Sequence, residues 1–317
     1  MDKELEDWVA AGQGYELRRE AANRILTCFR EKGTALDLGF LRLSTLPRCL
    51  GNVTSLHSLD VSFNSLQTLP ENLGDLLLLQ TLVISGNRLT QLPERISDLL
   101  SLHTLDVSDN PLTALGDDIG DLLSLHTLDV SGNKLTALPD CLADLFLLRT
   151  LVASGNQLKE LPAGTGDLAS LQYLDVSDNA LSALPANIGN LASLQILDLS
   201  GNRLTQLRGC IGNLSSLHYL DVSDNALSNL PDGIDNLSSL QTLDLSNNYF
   251  TQLAGCISGL PSLQLLRLRN NPLTCLSEQL RNMPAFQSYA SNHGYLHLPS
   301  SPHRTGTAVL FLSPSRR

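Results

Sequence analysis

Apolar and polar positions along this chain repeat with a period far longer than a single helix or strand produces. Ten asparagines, from Asn64, Asn87 and Asn110 to Asn225, Asn248 and Asn271, stand 23 residues apart without insertion or deletion. Leu stands eight and five residues before every one of them, beginning with Leu56 and Leu59, and Leu or Phe stands two residues after. Between these markers Leu59 and Val61 alternate with Asp60 and Ser62, the period of two that a strand imposes. One short strand per unit, repeated in register, predicts a single parallel sheet built by a solenoid. No unit can bury its leucines alone, so each coil must be stabilised by its neighbours.

The coil has to turn sharply after each strand, and that turn places backbone amides and carbonyls indoors. An unmet buried group costs about 1–3 kcal/mol, and Asn can donate and accept at once. The Asn ladder is therefore expected to be structural. The return limb reads Leu69-Pro70-Glu71-Asn72-Leu73-Gly74-Asp75-Leu76 in the second unit, and Pro recurs after the same Leu in six of ten units. Pro restricts the chain as it leaves the sheet, and the limb is read as short helical or 3₁₀ turns rather than a second sheet.

The unit L-x-x-L-x-L-x-x-N-x-L resembles the leucine-rich repeat. With a degenerate first unit (Leu36, Leu38, Leu41, Leu43, Leu46, Pro47), the repeats span residues 36–281 as 11 units. The resemblance implies an α/β repeat solenoid, a horseshoe with a parallel sheet on its concave side. Residues 1–35 are expected to form an N-terminal helical cap and residues 282–317 a short C-terminal cap and tail, in which Ala308-Val309-Leu310-Phe311-Leu312 reads as a strand over the last coil's edge. In the N-terminal segment Trp8, Leu17, Ala21, Ile25, Leu26 and Phe29 are spaced for one face of a helix or helix pair.

That segment carries a narrower resemblance. Trp8, then Glu16-Leu17-Arg18-Arg19-Glu20-Ala21-Ala22-Asn23-Arg24-Ile25-Leu26-Thr27-Cys28, then Leu36-Asp37-Leu38 and Leu46-Pro47 look like the cap and first repeat of type III secreted bacterial effectors of the IpaH/SspH/YopM family. Most of that family couple their repeats to a ubiquitin-ligase domain with a Cys-x-Asp motif, and none of the six Cys here is followed by x-Asp. The resemblance implies a ligase-less effector that binds a host protein after delivery by a type III system into host cytoplasm, or the substrate-recognition region of a bacterial E3 ubiquitin ligase. Units of 23 residues with a Leu-Pro-x-x-Ile-Gly-x-Leu rhythm depart from the family's shorter units, and also occur in intracellular signalling scaffolds.

A net charge of −11 disfavours nucleic-acid phosphate or an anionic membrane as partner and favours a protein with a locally basic or neutral surface. No apolar run approaches 18 residues, so no membrane span is expected. Cys49, Cys141, Cys210 and Cys256 share one repeat place two or more coils apart, so even Cys210 and Cys256 should stand about 10 Å from each other, too far to bond. That fits a reducing compartment. Asn52, Asn213 and Asn236 open glycosylation-like triplets, but they too share one place and are explained by repetition.

Side chains six, four and two residues before each Asn should project from the sheet, relieved of packing. Four before it stand Asp175, Asp198, Asp221 and Asp244 on successive strands, where mutual repulsion raises pKa values unless the neighbouring Ser ladder compensates. Evenly spaced parallel strands do not converge enough oxygens for calcium. His103 and His126, neighbours seven before the Asn, lack a third zinc ligand and are expected at a solvent-exposed strand edge. No catalytic constellation, cofactor or metal site is expected. Six before the Asn, Ser and Thr give way to Tyr173, Ile196 and Tyr219, with Leu265 two strands on. Outward aromatics suit a hot spot, Asp175, Asp198 and Asp221 beside them would complement a basic partner, and Arg267 and Arg269 would either pair with Asp244 or edge the footprint. These nine residues are the candidate partner-binding set.

Overall fold

The computed structural model describes residues 1–253 and 255–274. The expected C-terminal cap, its strand reading and the places of Leu276, Cys275 and the Cys256 side chain lie outside them.

The described part is one parallel sheet of eleven strands in sequence order. They are β1 (Ala35–Asp37), β2 (Ser58–Asp60), β3 (Thr81–Val83), β4 (Thr104–Asp106), β5 (Thr127–Asp129) and β6 (Thr150–Val152), followed by β7 (Tyr173–Asp175), β8 (Ile196–Asp198), β9 (Tyr219–Asp221), β10 (Thr242–Asp244) and β11 (Leu265–Arg267). Every pair holds the repeat register, Leu174 opposite Leu197 and Leu197 opposite Leu220. The return limbs are short 3₁₀ turns such as Glu71–Asp75 and Asp140–Asp144, as their Leu-Pro openings predict. The α/β leucine-rich-repeat solenoid is thus the observed fold.

Its interior is the leucine set, with Leu59, Leu82, Leu105, Leu128 and their successors fully buried. Removing one buried Leu side chain would cost about 2–5 kcal/mol. The asparagines close each turn: Asn87 Oδ1 accepts from the Leu66 amide at 3.0 Å, and its Nδ2 donates to Val61 of the preceding coil at 3.0 Å and to Ile84 of its own at 2.9 Å. Asn133 and Asn202 repeat these bonds coil for coil.

The residue just before each Asn is left-handed throughout, and Gly, Asp or Asn occupies it except at Phe63 (φ 50°). Those three residue types tolerate this conformation, whereas a bulky side chain is strained there. Phe63 stacks on Phe40, itself at φ 58°, with ring centroids 4.7 Å apart.

Two helices, α1 (Asp2–Ala10) and α2 (Arg18–Glu31), cover the first coil. Ala21, Ile25 and Cys28 form the covering face, joined by Leu5. Leu17 and Phe29 depart from expectation and are exposed: Leu17 caps the helix start instead of lying on its face, and Phe29 points away beside the buried Cys28. Arg18, only 6% exposed, locks the cap: it donates to the Trp8 carbonyl at 2.7 Å, pairs with Glu16 at 3.0 Å and lies over the Trp8 ring. Burial would raise the Glu16 pKa, but donors from Ser44 and Gln13 and the Arg18 charge outweigh it and hold the carboxyl below its usual range.

Candidate protein-interaction face

The outward places of the strands are occupied as the alternation predicts. Tyr173, Ile196 and Tyr219 stand in register on β7, β8 and β9, each half-buried between neighbours and open to the outward side. Asp175 and Asp198, next along the same strands, are half-buried too. Each uses Oδ1 to accept the amide and hydroxyl of the Ser two residues on, at 2.9 and 2.6 Å for both Ser177 and Ser200. The Ser ladder therefore supplies the hydroxyls that a row of carboxylates needs.

Compensation is incomplete. Burial, reinforced by Asp221 and Asp175, pushes the Asp198 carboxyl above its ordinary value against the pull of Ser200. Asp129 on β5 is raised by burial in the same way. Burial and then the Asp175 charge raise the Tyr173 phenol, and burial with Asp221 raises that of Tyr219, so both rings remain neutral donors.

Asp221 differs from the outward carboxylate expected of it. It is 8% exposed because the Tyr219 hydroxyl donates to Oδ2 at 3.0 Å and the Ser223 amide to Oδ1 at 2.8 Å, which employs both oxygens within the chain. Asp244, also buried, pairs with Arg267 at 3.2 Å. Arg267 thus neutralises the end of the acidic row while staying exposed, with Arg269 exposed beyond it. Leu265 is half-buried and pairs in register with Thr242, so β10 separates it from the Tyr219 cluster. The geometry unites Tyr173, Ile196, Tyr219, Asp175 and Asp198 in one patch and sets Leu265, Arg267 and Arg269 at a second place.

His103 and His126 meet edge to face at 5.0 Å and are half-buried where solvent exposure was expected, whereas His218 at the same repeat place is exposed. Among the described residues no group of three or more His, Cys, Asp or Glu side chains could hold a metal ion. Cys28, Cys49, Cys141 and Cys210 are free thiols. Burial, with Glu4 adding to it, pushes Cys49 up to about 11, and burial also raises Cys28 and Cys141, so these groups are poor nucleophiles. No helix among the described residues is long and apolar enough to cross a membrane.

Sequence reading missed one outward row. Leu77, Leu100, Leu123 and Phe146 occupy one place at the end of the return limb and are exposed. Its signal is compositional: the same place carries Ala169, Ala192, Ser215 and Ser238 further on.

Comparison with known proteins agrees with this geometry. No curated protein matches the chain. Among solved structures, a leucine-rich repeat protein of Leptospira interrogans is 28% identical, with a TM-score of 0.67 and 84% of each chain covered. YopM from Yersinia enterocolitica is 30% identical at a TM-score of 0.69, covering 87% of this chain and 56% of that one. The ectodomain of the Arabidopsis thaliana receptor kinase GASSHO1/SCHENGEN3, solved in complex with Casparian strip integrity factor 2, is 30% identical at a TM-score of 0.68; the match covers 77% of this chain and 32% of the ectodomain. Leucine-rich repeat models match residues 55–76 and 78–99, and 100–158, 156–204, 169–227 and 215–273. With more than half its length so matched, the chain belongs to the leucine-rich repeat family.

Proposed function

We propose that this chain is a noncatalytic protein-binding module that captures its partner on the sheet face over β7 to β9. The observation that carries this reading is the row Tyr173, Ile196 and Tyr219, half-open and in register, flanked by Asp175 and Asp198 with one carboxylate oxygen each left for a partner. Rigid aromatics supply contact area at low entropic cost and the carboxylates select Arg or Lys. Leu265, Arg267 and Arg269 form the far edge of the footprint, and Asp221 serves by fixing the Tyr219 hydroxyl.

The setting we propose is that of a bacterial effector acting on a host protein in host cytoplasm. Its support is the resemblance of the cap residues to the IpaH/SspH/YopM effectors, together with 30% identity to YopM from Yersinia enterocolitica and 27% to YopM from Yersinia pestis. Free cysteines fit a reducing compartment. In ligase-bearing members of that family the same face would select the ubiquitination substrate.

The test is affinity capture from host lysate with the intact chain and with Tyr173→Ala combined with Ile196→Ala. Captured partner should fall about tenfold or more, while thermal unfolding followed by circular dichroism shifts by no more than a few degrees, roughly the effect of 1 kcal/mol. Undiminished capture by a folded variant would place the interface elsewhere.

A further inference from the structure

The sheet is not the only outward surface whose composition changes along the stack. Where the return limb ends, four consecutive coils carry Leu77, Leu100, Leu123 and Phe146, exposed at 59%, 62%, 57% and 62%. A singly exposed Leu needs no explanation, but a row of four large ones on adjacent coils makes a contiguous apolar ridge. The coil does not require it. The residue before each, Leu76, Leu99, Leu122 and Leu145, fills the core and is fully buried. Coils with a small residue at this place close with the same backbone bond, Leu100 to the Asp98 carbonyl at 2.9 Å and Ser215 to the Asn213 carbonyl at 2.8 Å.

A second place changes in step. Two residues before the ridge the same four coils carry Asp75, Asp98, Asp121 and Asp144; after Asp167 the row becomes Asn190, Asn213 and Asn236. The shared backbone bond shows that the turn accepts either residue. Arg95 pairs with Asp75 at 2.9 Å and with Asp98 at 2.7 Å, whereas Asp121 and Asp144 are exposed. On the strand side the ridge is bordered by Gln80, His103, His126 and Arg149, so its acidic border lies on the outer side alone.

We infer that this ridge is a second docking surface, and that its occupant is a basic amphipathic helix of a partner protein. Coils stacked about 4.8 Å apart at the sheet nearly match the rise of one helical turn, about 5.4 Å. A helix lying along the stack therefore offers one apolar side chain to each coil and a Lys or Arg to each of the exposed Asp121 and Asp144. The same-face repeat of an extended strand, roughly 6.7 Å, falls out of step. A second copy meeting ridge to ridge would align two acidic rows, which is repulsive.

The full chain is titrated, by fluorescence anisotropy, with a labelled amphipathic peptide of roughly 18 residues made of Leu and Lys, long enough to form a helix, and with its analogue carrying Glu for every Lys. Saturable binding of the Lys peptide alone is expected. Leu100→Ser, Leu123→Ser and Phe146→Ser together should weaken it about tenfold or more. Asp121→Asn with Asp144→Asn should weaken it less and flatten its salt dependence between about 50 and 500 mM. Tyr173→Ala with Ile196→Ala should leave it unchanged, which separates this surface from the sheet face. Equal binding of the Glu peptide would overturn the inference, as would undiminished binding by both ridge variants. A wild-type dimer in sedimentation velocity that the triple variant dissolves would also overturn it, making the ridge a self-contact.

Discussion

The coils from Asn64 to Asn156 and those from Asn156 to Asn248 have interchangeable interiors and different exteriors. In the first group the sheet presents Ser58, Thr81, Thr104, Thr127 and Thr150, while the flank carries large apolar residues beside aspartates. In the second the sheet presents Tyr173, Ile196 and Tyr219, while the flank falls to Ala, Ser and Asn. Strand register, buried leucines and Asn bonds do not change between them. The core places stay buried, and nearly all aliphatic, in both groups, so the difference between them lies on the outside. Outward composition that varies over an unvarying core is the mark of surfaces fitted to something outside the chain.

The largest test of that comparison is to damage the shared interior once in each group. Asn133→Ala and Asn202→Ala each remove a buried amide that joins two coils and strand the amides of Leu112 and Leu181. Each should cost about 3 kcal/mol in urea unfolding, and losses differing by much more than 1 kcal/mol would show that the interiors are not equivalent. A smaller test uses the left-handed place. Gly155→Ala should cost about 1 kcal/mol from its backbone alone, since its φ is 64° and its nearest neighbour lies 3.5 Å from the new Cβ. Gly86→Ala should cost more, because a Cβ there comes within 2.6 Å of the Phe63 ring. Equal losses would mean that Phe63 swings away freely.

The smallest effect is a pH slope. Asp198 has a folded pKa above its unfolded value, so the native state binds the extra proton and stability falls as pH rises through the window between the two. Asp198→Asn should therefore be the more stable form at neutral pH, and its advantage should shrink as pH drops toward the ordinary carboxylate range. Glu16, depressed when folded, has the opposite sign: its contribution is present above its unfolded value and is lost as pH falls through the folded one. Melting curves from neutral pH down through and below the ordinary carboxylate range should bring Asp198→Asn and Glu16→Gln onto wild type from opposite sides.

Strand, turn and sheet order were legible in the sequence because each rests on residues that face the interior, where packing permits few substitutes. Leu59, Val61 and Asn64 announce their places by recurring. What one side chain does to its neighbour was not legible. Spacing puts Tyr219 and Asp221 on the same face but does not show the hydroxyl closing on the carboxylate, whereas the pairing of Arg267 with Asp244 on the neighbouring strand was open to it. Arg18 reads as a surface charge on a helix, yet Trp8, Glu16, Ser44 and Thr45, distant or irregularly placed in sequence, enclose it. The apolar ridge went unread for another reason: a Leu among leucines stands out only against the Ala and Ser that fill the same place in later coils.

The join between consecutive coils is one repeated device, an Asn whose amide clasps the coil before and its own. A protein assembled from a single kind of seam has a length that can be changed in whole units without remaking any seam. Excising residues 150–172 would splice Arg149 to Tyr173 in frame and draw the flank ridge and the tyrosine patch one coil closer, about 5 Å. The stack then acts as a ruler, setting the distance between what each end holds in steps that duplication or loss of one unit can adjust.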